Sequence, residues 1–491
     1  MSDGAVVLVL DGGGSSFKAA VYSLAERAPV AVCTEEIAAQ YPSDGIVEFD
    51  PAGWWARALA ALRRVVESAA RLPSAYVGVI CTGMRIPFVL VDDRGDELAP
   101  GVLNVDRRGT PYLDEIRDAL GPERLYELTG HWPNAKFGLP KLLWYARERP
   151  RLWQRVRRVL QFHDWLVFRL SGAHASEPSS AAMSQMVDVA NRTWATELLD
   201  TVGLDSGLLP ELHDAGEVVG GLTPEVAREI GLKSGTPVHA GGGDTHVASF
   251  GAGAVTPGTV CIVGGSTTPL MLAADEPTFG DPHSGPVISP HVRRGTWALE
   301  TNAGATGIFY TWLRDLAGGA DNGGYAELDR LAAGAALGAH GLVVAGPNPL
   351  WGEQGWARVP PTTFLGMTPA HSLGEVARAV LESIAYAQSS NFDVLTGDPS
   401  LAVDEVQFIG GASRSPFSCQ MLADVLGREV YVPEVGEPFA AGGAALVAGE
   451  RTPAQPERRT YVPDGERHRE YQRQAAHHYD CYVQLQEQFG T

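Results

Sequence analysis

One short pattern occurs twice in this 491-residue chain and restricts its possible folds more than any other feature. Near the start, the apolar run AVVLVL enters Asp11-Gly-Gly-Gly-Ser-Ser16 and leaves as FKAAVYSL. About half a chain later, TVCIV enters Gly264-Gly-Ser-Thr267 and leaves through TPLML. Each copy reads as a β-hairpin with strands apolar enough to be buried and a turn made of glycine and serine. Successive backbone N–H groups in such a turn form an anion-binding concavity. A single hairpin of this kind is more often an ordinary tight turn. Two of them point to a duplicated fold that grips phosphate between its halves. Just ahead of the second copy, Gly241-Gly-Gly-Asp244 sets a carboxylate on a glycine platform. In the first copy, Lys18 can add positive charge, and Asp11 at the strand end suits Mg²⁺ held through water.

The length accommodates two or three domains, each able to bury its own core. A formal charge of −20 argues against nucleic acid and anionic membranes as partners, because both attract basic surfaces. It leaves room for a nucleotide, whose phosphates a few local donors and a divalent cation can neutralise. No apolar run reaches the roughly 20 residues of a membrane span. The opening MSDGAVVLVL has no basic n-region, so no secretory leader is expected. Five scattered cysteines without a CxxC are expected to be reduced thiols of a cytoplasmic protein.

Other stretches supply the surroundings. Trp55, Leu59, Leu62 and Val66 recur at helical spacing within 52–71 and form one core stripe. A strand at Tyr76–Cys81 delivers Thr82-Gly-Met-Arg-Ile86, and a hairpin turning at Asp93-Arg-Gly95 delivers Asn104-Val-Asp-Arg-Arg108. Arg85, Asp106 and Arg108 therefore follow strand-like runs, where α/β folds bind ligands. They suit hydroxyl recognition and a solvated ion pair equally well.

Residues 111–214 read mostly as helices, one opened by Pro111 and closed by Gly121. The basic stretch KLLWYARERPRLWQRVRRVL reads as a solvated helix face. Further on, 279–296 reads as a Pro/Gly loop and 341–372 as irregular chain near a cleft. A long helix is expected over 374–396. Strand Glu405–Ile409, turn Gly410-Gly-Ala-Ser-Arg414 and helix Pro416–Leu426 let backbone approach a base or a phosphate. The polar tail is expected to be helical and without chemistry.

A GxxxxGK[ST] loop, a protein-kinase HRD/DFG pair, HExxH, clustered Cys/His and GxSxG are all absent from the sequence. What remains is phosphate held by two hairpins, one per domain, which is the logic of the actin-like ATPases. The chain also resembles the FGGY carbohydrate kinases over nearly its whole length. The resemblance rests on DGGGSSFK at 11–18, GLKSGTPVHAGGGDTHVASFGAG at 231–253 and GTVCIVGGST at 258–267. It continues through ALETNAGATGIFYTWLRD at 298–315 and FIGGASRSPFSCQMLADVLGREVYVPE at 408–434.

That resemblance implies an α/β fold of two actin-like (ribonuclease H-like) ATPase domains with a deep cleft between them. The sugar-binding domain would span 1–245, the nucleotide-binding domain 246–455, and a helical tail 456–491. It implies ATP-dependent phosphorylation of a hydroxyl, with Asp244 as catalytic base. Met84, Arg85, Asp106, Arg108, Thr245 and Glu300 would join Asp244 around the substrate. Gly13, Gly14, Ser15, Ser16 and Lys18 would meet the ATP phosphates from one side. Gly265, Ser266, Thr267 and Gly307 would meet them from the other, with Gly410, Gly411, Ala412 and Ser415 under the adenosine. ATP and Mg²⁺ would be the cofactors, and a homodimer is among the family's assemblies.

Within the family, CTGMRIPFVLVDDRG and GVLNVDRRG are most like the autoinducer-2 kinases. Xylulokinases and other ketopentose or polyol kinases are the alternative, although xylulokinases usually carry Met-His at Met84-Arg85. Gly14 and Gly265 stand where many members have threonine, so Ser15 or Ser16 would provide the first turn's hydroxyl. An actin-like ATPase without a metabolic substrate is the alternative of a different class. It would need neither Asp244 nor the Arg85, Asp106 and Arg108 set.

Overall fold

The computed structural model describes residues 4–319, 323–357, 359–451, 453 and 456–489. The expected boundary residue 455, the last two tail positions and the first three residues of the leader reading lie outside these. The N-terminal hairpin seeds a six-stranded sheet made of β1 (Val6–Gly12), β2 (Ser16–Ser23), β3 (Ala28–Glu36), β4 (Tyr76–Gly83), β5 (Val218–Gly221) and β6 (Pro237–Gly243). Their order is β5-β6-β4-β1-β2-β3. The β1–β2 and β2–β3 pairs are antiparallel, while β1–β4 and β4–β6 are parallel. Strand β1 sits at the centre of this mixed sheet, and VVLVL is buried without interruption, as a strand covered on both faces must be.

The second hairpin seeds a sheet on the same plan. It contains β7 (Thr259–Gly264), β8 (Pro269–Ala274), β9 (Val287–Pro290), β10 (Trp297–Asn302), β11 (Glu405–Gly410), β12 (Val430–Pro433) and β13 (Arg458–Tyr461). Their order is β9-β10-β8-β7-β11-β12-β13. Antiparallel β7–β8 and β8–β10 are followed by parallel β7–β11 and β11–β12. The run β3-β2-β1-β4-β6 thus recurs as β10-β8-β7-β11-β12, which is the duplicated actin-like α/β plan. Strand β9 lies inside the stretch read as a loop, and β13 extends the second sheet from the start of the tail.

The helices that bear on the site are α1 (Pro51–Ala69), α2 (Phe162–Ser171), α3 (Pro178–Ala182), α4 (Asp244–Gly251), α5 (Thr306–Leu316), α6 (Leu373–Thr396), α7 (Pro416–Leu426), α8 (Pro438–Val447) and α9 (Gly465–Phe489). In α1, Asp50 accepts from the N–H groups of Ala52 and Gly53, while Trp54, Trp55, Leu62 and Val65 are buried on the first sheet. The polar α9 is anchored by buried Tyr471, His478 and Tyr482.

Helix α8 was not anticipated from the sequence. It follows the parallel strands of the second sheet, yet it packs on the first. Phe439, Ala440 and Ala444 meet Val7, Val9 and Ile80, together with Val247 and Phe250 of α4. Its crossing with α4 is backbone to backbone. A Cβ on Gly442 would lie 1.9 Å from the Val247 carbonyl oxygen, and one on Gly251 would lie 2.1 Å from that of Pro438.

The basic stretch is not one solvated helix. A helix over Gly138–Glu148 ends before Pro150, a single turn covers Pro150–Trp153, and Arg158–Gln161 is a strand paired with Phe88–Val91. A proline removes the N–H that would continue the helix. Lys141 is fully buried, its Nζ donating to the carbonyls of Leu103, Asn104 and Lys136. The region read as irregular holds a helix at Gly352–Ala357 and a two-stranded ribbon of Val343–Ala345 with Thr363–Leu365.

Candidate active site

The parallel register of the first sheet sets Asp11, Thr82 and Gly242 side by side, followed one step on by Gly12, Gly83 and Gly243. All lie at the carboxyl ends of their strands, the edge where α/β sheets bind ligands. Packing dictates the glycines. A Cβ on Gly241 would lie 1.6 Å from the Cys81 carbonyl oxygen, and one on Gly12 would lie 2.4 Å from the Phe162 ring. Side chains from the surrounding elements hold this platform. The Gly241 N–H donates to His163 Nε2 at 3.0 Å, and that of Gly243 donates to Ser179 Oγ at 3.2 Å. Ser179 in turn donates to Glu177, and Thr82 Oγ1 donates to the Gly242 carbonyl at 3.0 Å.

Asp244 is therefore the first residue of α4, where the helix's positive end favours a carboxylate. Its Oδ1 accepts from the Thr245 N–H at 2.7 Å and from Thr245 Oγ1 at 3.1 Å. Burial still pushes its carboxyl above the ordinary range, with Arg85 as the main opposing influence. The Asp11 carboxyl is pushed up to about 7, first by burial and then by the repulsion of Asp244, against the pull of Lys18. One Asp11 oxygen is buried with no hydrogen-bond partner. Among the described residues no cluster of three or more His, Cys, Asp or Glu could hold a metal by itself. A lone carboxylate oxygen beside a glycine turn suits Mg²⁺, which keeps most of its waters when a protein holds it.

Arg85 crosses this platform, since a Cβ on Gly243 would meet its Cδ at 2.4 Å. Its Nη1 donates to Glu300 Oε1 at 2.8 Å, and its Nη2 donates to Oε2 at 2.5 Å. His246 Nε2 lies 2.8 Å from the same Nη1 and 3.1 Å from Glu300 Oε1, and Ser289 also donates to that oxygen. Arg85 follows β4 of the first sheet, whereas Glu300 and Ser289 come from β10 and β9 of the second. The two domains thus meet through a buried, bidentate ion pair beside Asp244.

Three glycine turns lie at the ends of strands of the two sheets. In the first, Gly13 N–H donates to the Ser16 carbonyl, and Gly14 and Ser15 are exposed at the tip with Lys18 on the following strand. Met84 adjoins it: its N–H donates to the Gly12 carbonyl, and a Cβ on Gly14 would lie 3.7 Å from its sulfur. In the second turn, Gly265, Ser266 and Thr267 are exposed. Gly307 presses on that turn; a Cβ there would lie 2.0 Å from the Gly265 carbonyl oxygen. In the third, Gly410 takes φ +91°, which favours glycine, and a Cβ there would lie 2.7 Å from the Gly264 carbonyl oxygen. Gly411 and Ala412 follow it exposed, and Ser415 caps α7 by accepting from the Ser418 N–H. The second and third turns therefore abut.

Asp106 and Arg108 are bonded to a different set of groups. Asp106 accepts from the Val47 N–H and from the Arg108 backbone, Nε and Nη2. Arg108 also donates to Tyr145 Oη and Glu48, with its guanidinium carbon 5.0 Å from the Trp144 ring centroid. This is a buried hub and not a solvated pair, with four of the five Arg108 side-chain donors already bonded. The sequence reading did not find His246, Ser289, Glu177 or Ser179. Only the position of His246, two residues beyond Asp244, hinted at any of them.

Two family descriptions match the chain. The FGGY family of carbohydrate kinases, N-terminal domain, covers residues 6–251, and the C-terminal domain of the same family covers 259–450. An autoinducer-2 kinase from Photorhabdus laumondii subsp. laumondii is 30% identical over 459 residues, covering 91% of this chain and 86% of the relative. The crystal structure of xylulose kinase from Rhodospirillum rubrum superposes with a TM-score of 0.82 at 28% identity, covering 98% of this chain and 99% of that one. Gluconate kinase from Lactobacillus acidophilus shares the fold, with a TM-score of 0.84 at 17% identity and 99% of both chains covered.

Proposed function

Because this chain belongs to the FGGY family of carbohydrate kinases, ATP-dependent phosphotransferases that act on hydroxyl groups, we propose that it phosphorylates a small sugar-like substrate most like that of the autoinducer-2 kinases. The observation that carries the mechanism is Asp244 itself, a half-buried carboxylate of raised basicity at a helix N-terminus that follows the glycine platform. Asp244 takes the proton of the attacking hydroxyl. The hydroxyl oxygen bonds to the γ-phosphorus as the bond to the β-phosphate oxygen breaks, leaving ADP.

The turns Gly13–Ser16 and Gly265–Thr267, with Gly14, Ser15, Gly265, Ser266 and Thr267 exposed, are suited to the phosphates, and the turn at Gly410–Ala412 to the adenosine. Met84, Arg85 and Thr245 are the groups we assign to the substrate side. Asp106 and Arg108 would shape that wall through Tyr145 and Glu48, as their mutual bonds suggest. Mg²⁺ would be held through water by Asp11 and would neutralise charge on the β- and γ-phosphate oxygens. General-base assistance contributes about 10²–10⁴-fold, and positioning with electrostatics supplies most of the rest. A cytoplasmic homodimer belongs to the same proposal. No described helix is long and apolar enough to cross a membrane.

Likeness to a solved xylulose kinase keeps a ketopentose acceptor as the second reading. ADP release measured against ketopentoses, polyols and the autoinducer-2 precursor separates the two. The Asp244→Ala variant, which should turn over at least about 10²-fold more slowly, serves as blank. Undiminished turnover in that variant would remove Asp244 from its role. Turnover of D-xylulose in preference to the precursor would decide for the second reading.

A further inference from the structure

The Arg85–Glu300 pair holds a strong cation beside the proposed base without giving that cation to it. Both terminal nitrogens of Arg85 are engaged by Glu300, and one of them also meets His246. The stem of Arg85 lies against Gly243, the residue before Asp244. After Glu300, Asp244 is the carboxylate that acts most strongly on this guanidinium, and Glu177 comes next. Without Glu300, the natural partner of Arg85 is Asp244.

We propose that Glu300 arms the catalytic base, by occupying Arg85 so that the Asp244 oxygen not bonded to Thr245 is left to accept the proton. Because Arg85 belongs to the first sheet and Glu300 to the second, arming requires the two domains to stand as they do here. When they separate, Arg85 swings to Asp244 and silences it, which suppresses transfer of phosphate to water. This rests on the assignment of Asp244 as base. It makes Glu300 a positioning residue and not a substrate contact.

The surroundings fit that role. Burial opposes ionisation of Glu300, yet Arg85 and His246 hold its carboxyl well below the usual range, so it remains an anion throughout the working pH. Ser289 donates to it as well, and His246 is kept in place by packing against His291, with ring centroids 5.0 Å apart. The other titratable groups that act on Asp244 are Asp11 from β1 and His246 on α4, while Glu177 ahead of α3 acts on Arg85. Lys18 on β2 and Glu437 ahead of α8 act on Asp11.

The test is kcat against pH for the full-length protein at saturating Mg²⁺–ATP, with D-xylulose and the autoinducer-2 precursor as separate substrates. An arginine beside a carboxylate lowers its pKa by about 1–3 units. Glu300→Gln should therefore move the acid limb about 1 unit or more to lower pH and reduce kcat at least about tenfold, with little change in the KM for ATP. Arg85→Gln should move the limb the opposite way, and the double variant should follow Arg85→Gln. A Glu300→Gln enzyme that loses turnover with its acid limb unmoved overturns the proposal, because a purely structural tie would behave so. If Glu300→Gln does not fold, Glu300→Asp carries the test. Its shorter carboxylate cannot keep both guanidinium contacts, so an unmoved limb there is equally fatal. Failure of the base assignment looks different, since Asp244→Ala would then retain its turnover.

Discussion

At the scale of single residues, the site is governed by two carboxylates that burial makes reluctant to ionise. Asp11 and Asp244 repel each other, and each has one principal cation against that repulsion, Lys18 and Arg85 respectively. The Asp11 carboxyl, pushed up to about 7 from 3.8, favours the protonated form in the folded protein. Its contribution to stability is therefore complete below about 3.8 and is lost as the pH rises through about 7. In chelator, Asp11→Asn should gain in melting temperature relative to the parent between pH 5 and pH 8. A difference that stays flat across that range would contradict the assignment. Asp244 was legible in the sequence because three glycines before it made a strand end that no side chain could line. The Arg85–Glu300 partnership was not, since 215 residues separate its members. By residue type Asp106 and Arg108 suit hydroxyls and an ion pair equally well, and residue type says nothing about which partners a buried hub supplies.

At the scale of elements, glycine serves two distinct purposes. In the turns at Gly14, Gly265 and Gly411 it leaves the chain exposed with no side chain over it. In the α4–α8 crossing it lets two helix backbones touch, because Gly251 and Gly442 have no atom to hold them apart. The two purposes predict opposite responses to alanine. In a typical exposed helix, Gly→Ala stabilises by up to about 1 kcal/mol. Here Gly442→Ala places a methyl 1.9 Å from the Val247 carbonyl, a backbone atom with nowhere to move. Destabilisation by about 1–3 kcal/mol is expected instead, the usual cost of overpacking. Thermal melting settles the sign, and a rise in melting temperature would refute the crossing. The sequence reading located the turns because the Gly/Ser pattern is local. It overlooked α8, whose small, uniformly apolar residues show little periodicity and whose packing surface belongs to the distant first sheet.

At the scale of the whole molecule, two copies of one sheet plan are joined by a crossing of two helices and by a buried ion pair. Both joints lie near the glycine platform, so the relative placement of the sheets bears directly on the base. Substrate and a non-hydrolysable ATP analogue should draw the domains together, as closing kinases do to exclude water. Small-angle scattering should then show a smaller radius of gyration with both ligands than with either alone. An unchanged radius would mean that the cleft does not close on its ligands. The overall charge of −20 is compatible with this, because in the proposed site the phosphates would meet the local turns and Lys18 and not the average surface.

The sequence by itself determined the duplicated α/β plan, the glycine turns and the position of Asp244. These depend on local alternation, turn chemistry and the space a side chain needs, all written within a few consecutive residues. Only the tertiary structure decided what those residues bind to. It gave Glu300 to Arg85, spent Asp106 on Arg108, buried Lys141 within a stretch that looked solvated, and laid α8 across the opposite domain. Each of those outcomes depends on which distant segment arrives to share a desolvated space, and a buried charge takes the partner that packing brings to it.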